Sequence, residues 1–460
     1  MDLRRDHWTS RIGFVLAAAG SAVGLGNLWK FPYITWNNRG GAFVLIYLVC
    51  IALIGLPIMM TEILIGRKTQ KSAVGALKQA AGPAWGFVGG LGVFTGFIIL
   101  GYYTIIAGWT LQYFWNCLRW SFLGFDAAGS TGEAFTAFAG NGPVQVGLAL
   151  AFMAVTASVV QRGISGGIER VSRLLMPLLF GILVLLLVSA LSLKGAGEAL
   201  SFIFSPDFSQ LRLSGVLEAL GHSFFTLSLG MGAMITYGSY LGRRESVVTS
   251  SLVVVVLDTV IALIATIVMF SVIFSFDMAD SVGKSTAGML FITLPTLFYK
   301  NVPFGAVLAP LFYMLVGFAA LTSTISLLEV VASYFIDQRK WSRTKATWTC
   351  SAGIFLLSTL CGLSFGGWAA VSDFNWIHAK QGLFAHLDHM ASNWLLPVGG
   401  FFITLAAGWV MTREATESEL VNDSTPGWFH YPVWRFCIRF LAPAAVAAII
   451  VAVIAGKDFS

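Results

Sequence analysis

Apolar residues lie along this chain in long blocks set apart by short polar stretches, not in the alternating patterns of half-buried helices and strands. Blocks long enough to cross ~30 Å of hydrocarbon as a helix recur about eleven times. They fall near residues 12–36, 41–66, 86–118, 144–161, 168–192, 215–241, 247–276, 304–336, 346–364, 392–412 and 432–455. The pattern predicts an all-α polytopic membrane protein, one membrane domain over residues 1–460. The connections 119–143 and 193–214 are long and Gly/Ser-rich. Residues 277–303 carry AGMLFITLPTLF, helical in period but too short to cross, and predict a re-entrant or capping hairpin.

Two blocks are broken from within. The first contains AAAGSAVGLGNLWKFP (Ala17–Pro32), and Gly13, Gly20, Gly24 and Gly26 interrupt it. Each glycine costs about 1 kcal/mol against alanine in a helix interior. Such a cluster predicts a break at membrane depth, which is tolerated only where protein or an aqueous cavity surrounds the backbone. A break bares carbonyls, which suit a cation, and helix N-terminal amides, which suit a carboxylate. The sixth block is interrupted in the same manner at FFTLSLGMG (Phe224–Gly232). Two discontinuous helices at matching places in two halves point to the midplane site of a secondary transporter. With five spans per half the halves are inverted: repeat one near 10–192, repeat two near 215–412, and an extra helix near 432–455.

Composition agrees: 57% hydrophobic and 11% charged residues, with a mean hydropathy of +0.80. The formal charge of +6 suggests nucleic acid only until it is mapped. Nineteen of the 28 lysines and arginines, such as Arg67, Lys68, Lys71, Lys78, Arg243 and Arg244, fall on the side of the N-terminus. That bias predicts a cytoplasmic N-terminus and, after eleven crossings, an outer C-terminus. Residues 1–11 are polar and do not read as a secretory signal, so the first block is read as a span. Five cysteines (Cys50, Cys117, Cys350, Cys361, Cys437) lack metal spacing, and their odd number argues against a disulfide framework. A serine hydrolase built on Ser165 and His222 fails because the two lie at opposite membrane faces, out of hydrogen-bond reach.

The motifs GSAVGLGNLWKFPY (Gly20–Tyr33), NNRGGAF (Asn37–Phe43), RGISGGIER (Arg162–Arg170), FFTLSLGMGAMITYGSY (Phe224–Tyr240) and GFAALTSTISLLE (Gly317–Glu329) resemble, in order, those of the neurotransmitter:sodium symporter family. The likeness is closest to its bacterial amino-acid carriers, where a twelfth span is commonly absent. It implies the LeuT-like fold, which the handling of carboxylates at half-helix ends exemplifies. It also implies a multi-pass protein of the bacterial inner (plasma) membrane that works on a small amino acid, with no enzyme activity, nucleic acid or obligate protein partner.

The resemblance further implies two sodium sites. The first would use the Ala22 carbonyl, Asn27, Thr226, Asp258 and the substrate carboxylate. The second would use the carbonyls of Gly20, Val23 and Ala319 with the hydroxyls of Thr322 and Ser323. Asp258 stands mid-span in LVVVVLDTVIALIA, where an ionised carboxylate costs ~2.5–3.5 kcal/mol and calls for a partner. Ala262 stands where a relative has glutamate. In animal relatives a bound chloride supplies a negative charge, and Asp258 is expected to supply it here in fixed form.

The implied substrate pocket is Ser21, Ala22, Leu25, Gly26, Ile99, Tyr103, Phe225, Thr226, Ser228, Met231, Ser323 and Leu327. No charged residue stands at its side-chain end, so the expected cargo is a neutral hydrophobic or aromatic L-amino acid. Lys30 and Asp388 are the implied outer gate, above a lid of Phe225 and Tyr103. Lysine replaces the usual arginine and lacks its planar fork. Arg5 and Asp337 are the implied inner gate, supported by Trp8, Ser239 and Tyr240. Glu62 is expected to accept hydrogen bonds from the broken sixth helix. Gly167 and Pro177 weaken the inner start of the fifth span, which is expected to unwind toward the second sodium site. His222, where glutamine is usual, is read either as a satisfied buried histidine or as a tuner of the outer gate. The alternative to sodium coupling is a proton-coupled carrier on the same scaffold, with Asp258 or Glu62 carrying the proton.

Overall fold

The computed structural model describes residues 6–125, 131–276, 289–300, 302–377 and 380–458. Among the described residues the secondary structure is entirely helical. Nine helices among the described residues are long and apolar enough to cross a membrane without a sharp break. They are Gly41–Thr69, Pro83–Leu123, Gly142–Val160, Ile164–Leu191, Val247–Ser275, Gly305–Arg339, Arg343–Leu363, Leu383–Val410 and Tyr431–Ile454. A further span is the pair Arg11–Ala22 and Gly26–Asn37, bent by 51°. The remaining expected crossing is also a pair, Leu213–Thr226 and Ala233–Gly238. Numbered in chain order, these make the first to eleventh spans, with the broken ones first and sixth.

The third and eighth spans, equivalent members of the two halves, lie along one another as the spine of the protein. The ninth and fourth pack on that spine, and the inner half of the sixth packs on the second. Glycines make the closest approaches. Gly66 on the second span lies against the Ile235 carbonyl of the sixth, and Gly238 in turn against the Ile63 backbone, so a Cβ at either would overlap it. With no hydrophobic drive between helices in lipid, such backbone proximity is how they associate.

Short helices cover the outer connections: Thr131–Ala139 within 119–143 and Ala196–Phe204 within 193–214. In the stretch expected to form a hairpin, residues 277–288 lie outside the described residues. The helix Leu290–Lys300 in the same stretch is short and apolar. Its Phe291 packs against Trp109, Tyr113 and Trp29, with ring centroids 5.4, 4.8 and 6.1 Å apart. That arm therefore caps the outer mouth. All five cysteines are buried and free.

The break in the sixth span uses backbone that side chains resist. Ser228, Gly230 and Gly232 all have positive φ, of 54°, 82° and 75°. Gly230 also faces the Leu396 carbonyl, which a Cβ would strike. Gly230→Ala is expected to lower the thermal unfolding midpoint of the detergent-purified protein, since left-handed backbone alone costs an L-residue roughly 1–2 kcal/mol. An unchanged midpoint would show that the chain can turn there some other way.

Candidate functional site

The first span ends its inner half at Ala22. Val23 turns extended, with φ −70° and ψ 102°, while its N–H still reaches the Ala19 carbonyl. A π-helical turn, Gly26–Lys30, restarts the helix. Among the described residues no backbone N–H is paired with the Ala22 or Val23 carbonyls. The loosened amides find side chains instead. Gly24 N–H donates to Asn27 Oδ1 at 3.1 Å, and Leu25 N–H donates to the Tyr103 hydroxyl at 3.1 Å.

Three of the residues assigned to the first sodium site meet at this break. The Asn27 side-chain amide donates to Asp258 Oδ1 at 2.7 Å, and Thr226 Oγ1 lies 3.0 and 3.2 Å from the two carboxylate oxygens. Asp258 is fully buried, and two neutral side chains, one from each broken span, converge on the carboxyl group carried by the seventh. The residues assigned to the second site gather where the first and eighth spans cross. Gly20 abuts Thr322, whose Cβ would lie 3.0 Å from an added Cβ. Ser323 Oγ sits 3.5 Å from the Val23 carbonyl. Thr322 Oγ1 donates within its own helix, 3.1 Å from the Phe318 and Ala319 carbonyls, and its Cβ and methyl are the atoms that abut Gly20. Carbonyls, hydroxyls and one carboxylate form the donor set a hard cation takes.

A small cavity of about 30 Å³ lies beside the break. Its wall contains every residue assigned to the substrate pocket: Ser21, Ala22, Leu25, Gly26, Ile99, Tyr103, Phe225, Thr226, Ser228, Met231, Ser323 and Leu327. Gly24 and Ser326 join them. Ser326 was not assigned from the sequence, although it stands one helical turn after Ser323. Its hydroxyl receives that of Ser21 at 2.8 Å, while Ser228 Oγ donates to the Ser21 carbonyl at 2.8 Å. These bonds tie the first, sixth and eighth spans together at the same depth.

A model of the sodium:neurotransmitter symporter family matches residues 5–129 and 130–458. The chain belongs to that family. It is a sodium-dependent membrane transporter, not an enzyme. It is 37% identical to a Bacillus subtilis protein described as an uncharacterized sodium-dependent transporter, over 95% of each chain. It is 30% identical to the sodium-dependent neutral amino acid transporter B(0)AT3 of Rattus norvegicus, over 61% of this chain and 49% of that one. The crystal structure of MhsT in complex with L-phenylalanine superposes with a TM-score of 0.88 at 40% identity, covering 97% of this chain and 99% of that one. The architecture is the LeuT-like fold, with inverted five-helix repeats and discontinuous first and sixth helices.

In this symporter a second cavity of about 170 Å³ lies outside the first. Phe225, Tyr103, Leu25 and Gly26 line both, so the Phe225 and Tyr103 rings stand between them. Lys30 and Asp388, the assigned outer gate, face this vestibule with Glu218, Trp29 and Tyr33. Lys30 Nζ lies 5.1 Å from the centroid of Phe225, a cation over the lid itself. His222 is buried between Phe31 and Tyr47, at 5.6 and 5.7 Å between ring centroids, and neither ring nitrogen has a partner among the described residues.

Glu62, fully buried, receives the Gly230 N–H at 2.7 Å, as the sequence suggested for the broken sixth helix. The fifth span is helical from Ile164 through Leu191, with Pro177 inside it, and Met176 touches the position of Gly20.

Arg5 lies outside the described residues, so its pairing with Asp337 is not described. Asp337 accepts from the Ser72 N–H at 2.6 Å. The Trp8 indole donates to the Tyr237 carbonyl at 3.0 Å, and Tyr240 donates to Glu329 at 2.7 Å. Ser239 bonds back to the Thr236 carbonyl. Glu329 and Arg343 pair at 2.8 Å, and Asp6 stands 3.9 Å from the same guanidinium. Thr9 bonds Glu169 through both its N–H and its hydroxyl, at 2.8 and 2.6 Å, and Arg173 pairs with Glu169 at 2.7 Å. This inner network was missed. Glu169 and Glu329 lie in the quoted motifs, and Arg343 was counted only toward topology. A mid-helix glutamate next to an apolar run was the available signal, since a buried charge needs a partner.

Glu329 is fully buried and Arg343 is its cation. Arg343→Met is therefore expected to destabilise the inner closure by roughly 3–5 kcal/mol, read as a lower unfolding midpoint and faster labelling of a cysteine placed at Ser239. Pairing it with Glu329→Gln is expected to restore most of the loss. A double variant as unstable as the single one would count against a paired charge.

Proposed function

We propose that the protein carries neutral hydrophobic or aromatic L-amino acids inward together with two sodium ions and without chloride. The observation that carries this reading is the wall of the inner cavity. Ile99, Met231, Leu327 and Phe225 form its apolar part, and it contains no charged side chain. A charged cargo would bury an unpaired ion there, whereas a zwitterion leaves its two charges to the backbone of the broken helices. The L-phenylalanine bound in MhsT and the neutral amino acids named for the rat relative agree with that choice. Met231 has a flexible, polarizable side chain, which suits cargo of varied shape.

The two oxygen-rich clusters support two cations. Asp258 places a fixed negative charge at the first, which removes the need for an anion. The excess of lysine and arginine on the side of the N-terminus supports a cytoplasmic N-terminus in a bacterial inner membrane. In the cycle, the first, second, sixth and seventh spans rock against the third, fourth, eighth and ninth. Each sodium ion gains about 2.3 kcal/mol per 100 mV and about 1.4 kcal/mol from a tenfold gradient. Two ions give roughly 7 kcal/mol, enough for about 10⁵-fold accumulation.

Uptake into proteoliposomes tests this. Replacing sodium by choline is expected to abolish it, and replacing chloride by gluconate to leave it unchanged. Leucine, methionine, phenylalanine and tryptophan are expected to compete for uptake, while aspartate, glutamate, lysine and arginine are not. Uptake that follows a proton gradient in choline would instead favour the proton-coupled carrier.

Asp258→Asn is expected to weaken sodium activation at least tenfold, about 1.4 kcal/mol, and to make uptake respond to chloride. A variant with wild-type sodium activation would remove Asp258 from the ion site.

A further inference from the structure

Two openings away from the broken helices meet on the side of the N-terminus. One is an apolar groove of about 510 Å³ between the short helix Ala73–Ala81 and the inner ends of the third and eighth spans. Val74, Gly90, Val93, Phe94, Phe97 and Val331 line it. Phe87 and Phe94 are about half exposed, at 56% and 48%. Gly90 leaves the groove open, since a Cβ there would meet nothing within 4 Å.

The other opening is a polar cavity of about 830 Å³ that takes in Lys71, Lys78, Lys340 and Arg343 on the basic side and Asp6 and Asp337 on the acidic side. Both carboxylates are engaged: Asp6 with the Ile164 N–H and Arg343, Asp337 with the Ser72 N–H. Lys71, Lys78 and Lys340 are exposed, and among the described residues none of the three is in an ion pair. Lys78 lines both openings. Its aliphatic stem lies on Gly86, where a Cβ would displace it, so the amine stands where the groove opens into the cavity.

From this juxtaposition we propose that the groove and the lysines beside it form a binding site for one anionic glycerophospholipid, an acyl chain lying on Val93, Phe94 and Phe97 and the phosphate meeting Lys78. The groove is apolar along its length and cationic at its end, which is the polarity of a phospholipid at a membrane interface. Three uncompensated amines favour a headgroup of net negative charge, while a choline headgroup would bring a further cation to them. A juxtamembrane lysine adds attraction to anionic lipid that decays within a Debye length. The leaflet is the one on the side of the N-terminus, cytoplasmic in the topology proposed above; the site itself depends on neither the cargo nor the coupling ion. A lipid held there touches the helix 73–81 together with the third and eighth spans.

The test uses the full-length protein in nanodiscs holding equal phosphatidylglycerol and phosphatidylcholine with the same acyl chains. Lipids retained on release are counted by native mass spectrometry. The wild type is expected to retain phosphatidylglycerol in preference. Lys78→Gln is expected to lower its retention about fivefold, the equivalent of about 1 kcal/mol for one lysine at the surface, and to leave phosphatidylcholine unchanged. Gly90→Leu fills the groove from a helical position with free space and is expected to displace both lipids. Equal retention of the two lipids by the wild type, or retention untouched by either variant, overturns the proposal. Loss in Lys78→Gln alone marks a phosphate contact without a seated chain, and loss in Gly90→Leu alone marks a groove without headgroup selection; each overturns the anionic-lipid assignment.

Discussion

In hydrocarbon a backbone amide or carbonyl without a partner costs several kilocalories per mole, and that constraint shapes this molecule more than any side chain. Nine spans meet it by running as helices. The other two break and meet it by borrowing. Tyr103 takes the Leu25 amide, Asn27 takes that of Gly24, and Glu62 takes that of Gly230. The carbonyls of Ala22 and Val23 find no backbone donor among the described residues, and that of Val23 lies 3.5 Å from Ser323 Oγ. The binding site is thus the residue of a backbone accounting problem. In the cycle proposed above, sodium completes a bonding pattern that the protein alone leaves open.

The two faces of the protein are built differently around that site. Outside, the vestibule shares four lining residues with the central cavity, the rings of Phe225 and Tyr103 among them. Inside, the polar cavity shares none of its lining with the central one. Trp8, Tyr237, Tyr240, Glu329 and Arg343 intervene, joined by hydrogen bonds and an ion pair. A thin aromatic lid outside and a thick charged plug inside describe a conformer closed toward the N-terminal face.

Much of this was legible in the sequence, for reasons that differ by residue. Spans are long and their apolar signal needs no tertiary context, so their number and order could be read directly. The break at Gly24–Gly26 announced itself through glycines that no straight helix would keep. The pocket residues were implied by the family resemblance, with Ile99 and Tyr103 lying outside its quoted motifs, and the cavity wall contains them all. Ser326 escaped because a hydroxyl on a packed helix usually bonds its own backbone, as Thr110 and Thr404 do here. Glu169, Arg343 and Asp6 escaped for another reason. Their partners lie on remote segments, such as Thr9 against Glu169, and no local period carries that information. The lysine-edged groove is the extreme case, since it exists only once the 73–81 helix is laid across the third span.

The plug sets a condition on transport. A bound species shifts a conformational equilibrium only by the difference in its affinity for the two states. Opening the inner face must separate Tyr240 from Glu329 and draw the Thr9 end of the first span away from Glu169. At the proposed second sodium site, where Gly20 meets Thr322, an ion would tie the first span to the eighth, and Met176 of the fifth span sits against the same point. Occupation there would reinforce the closed plug rather than loosen it. In the cycle proposed above, release on the side of the N-terminus begins with water reaching that crossing. The fifth span is the element placed to admit it: its first turns rest on a π-helical stretch at Ile164–Glu169, and Pro177 removes one of its backbone donors. Glu169, at the end of that stretch, also holds Thr9, so unwinding it would free the first span and wet the ion in one movement.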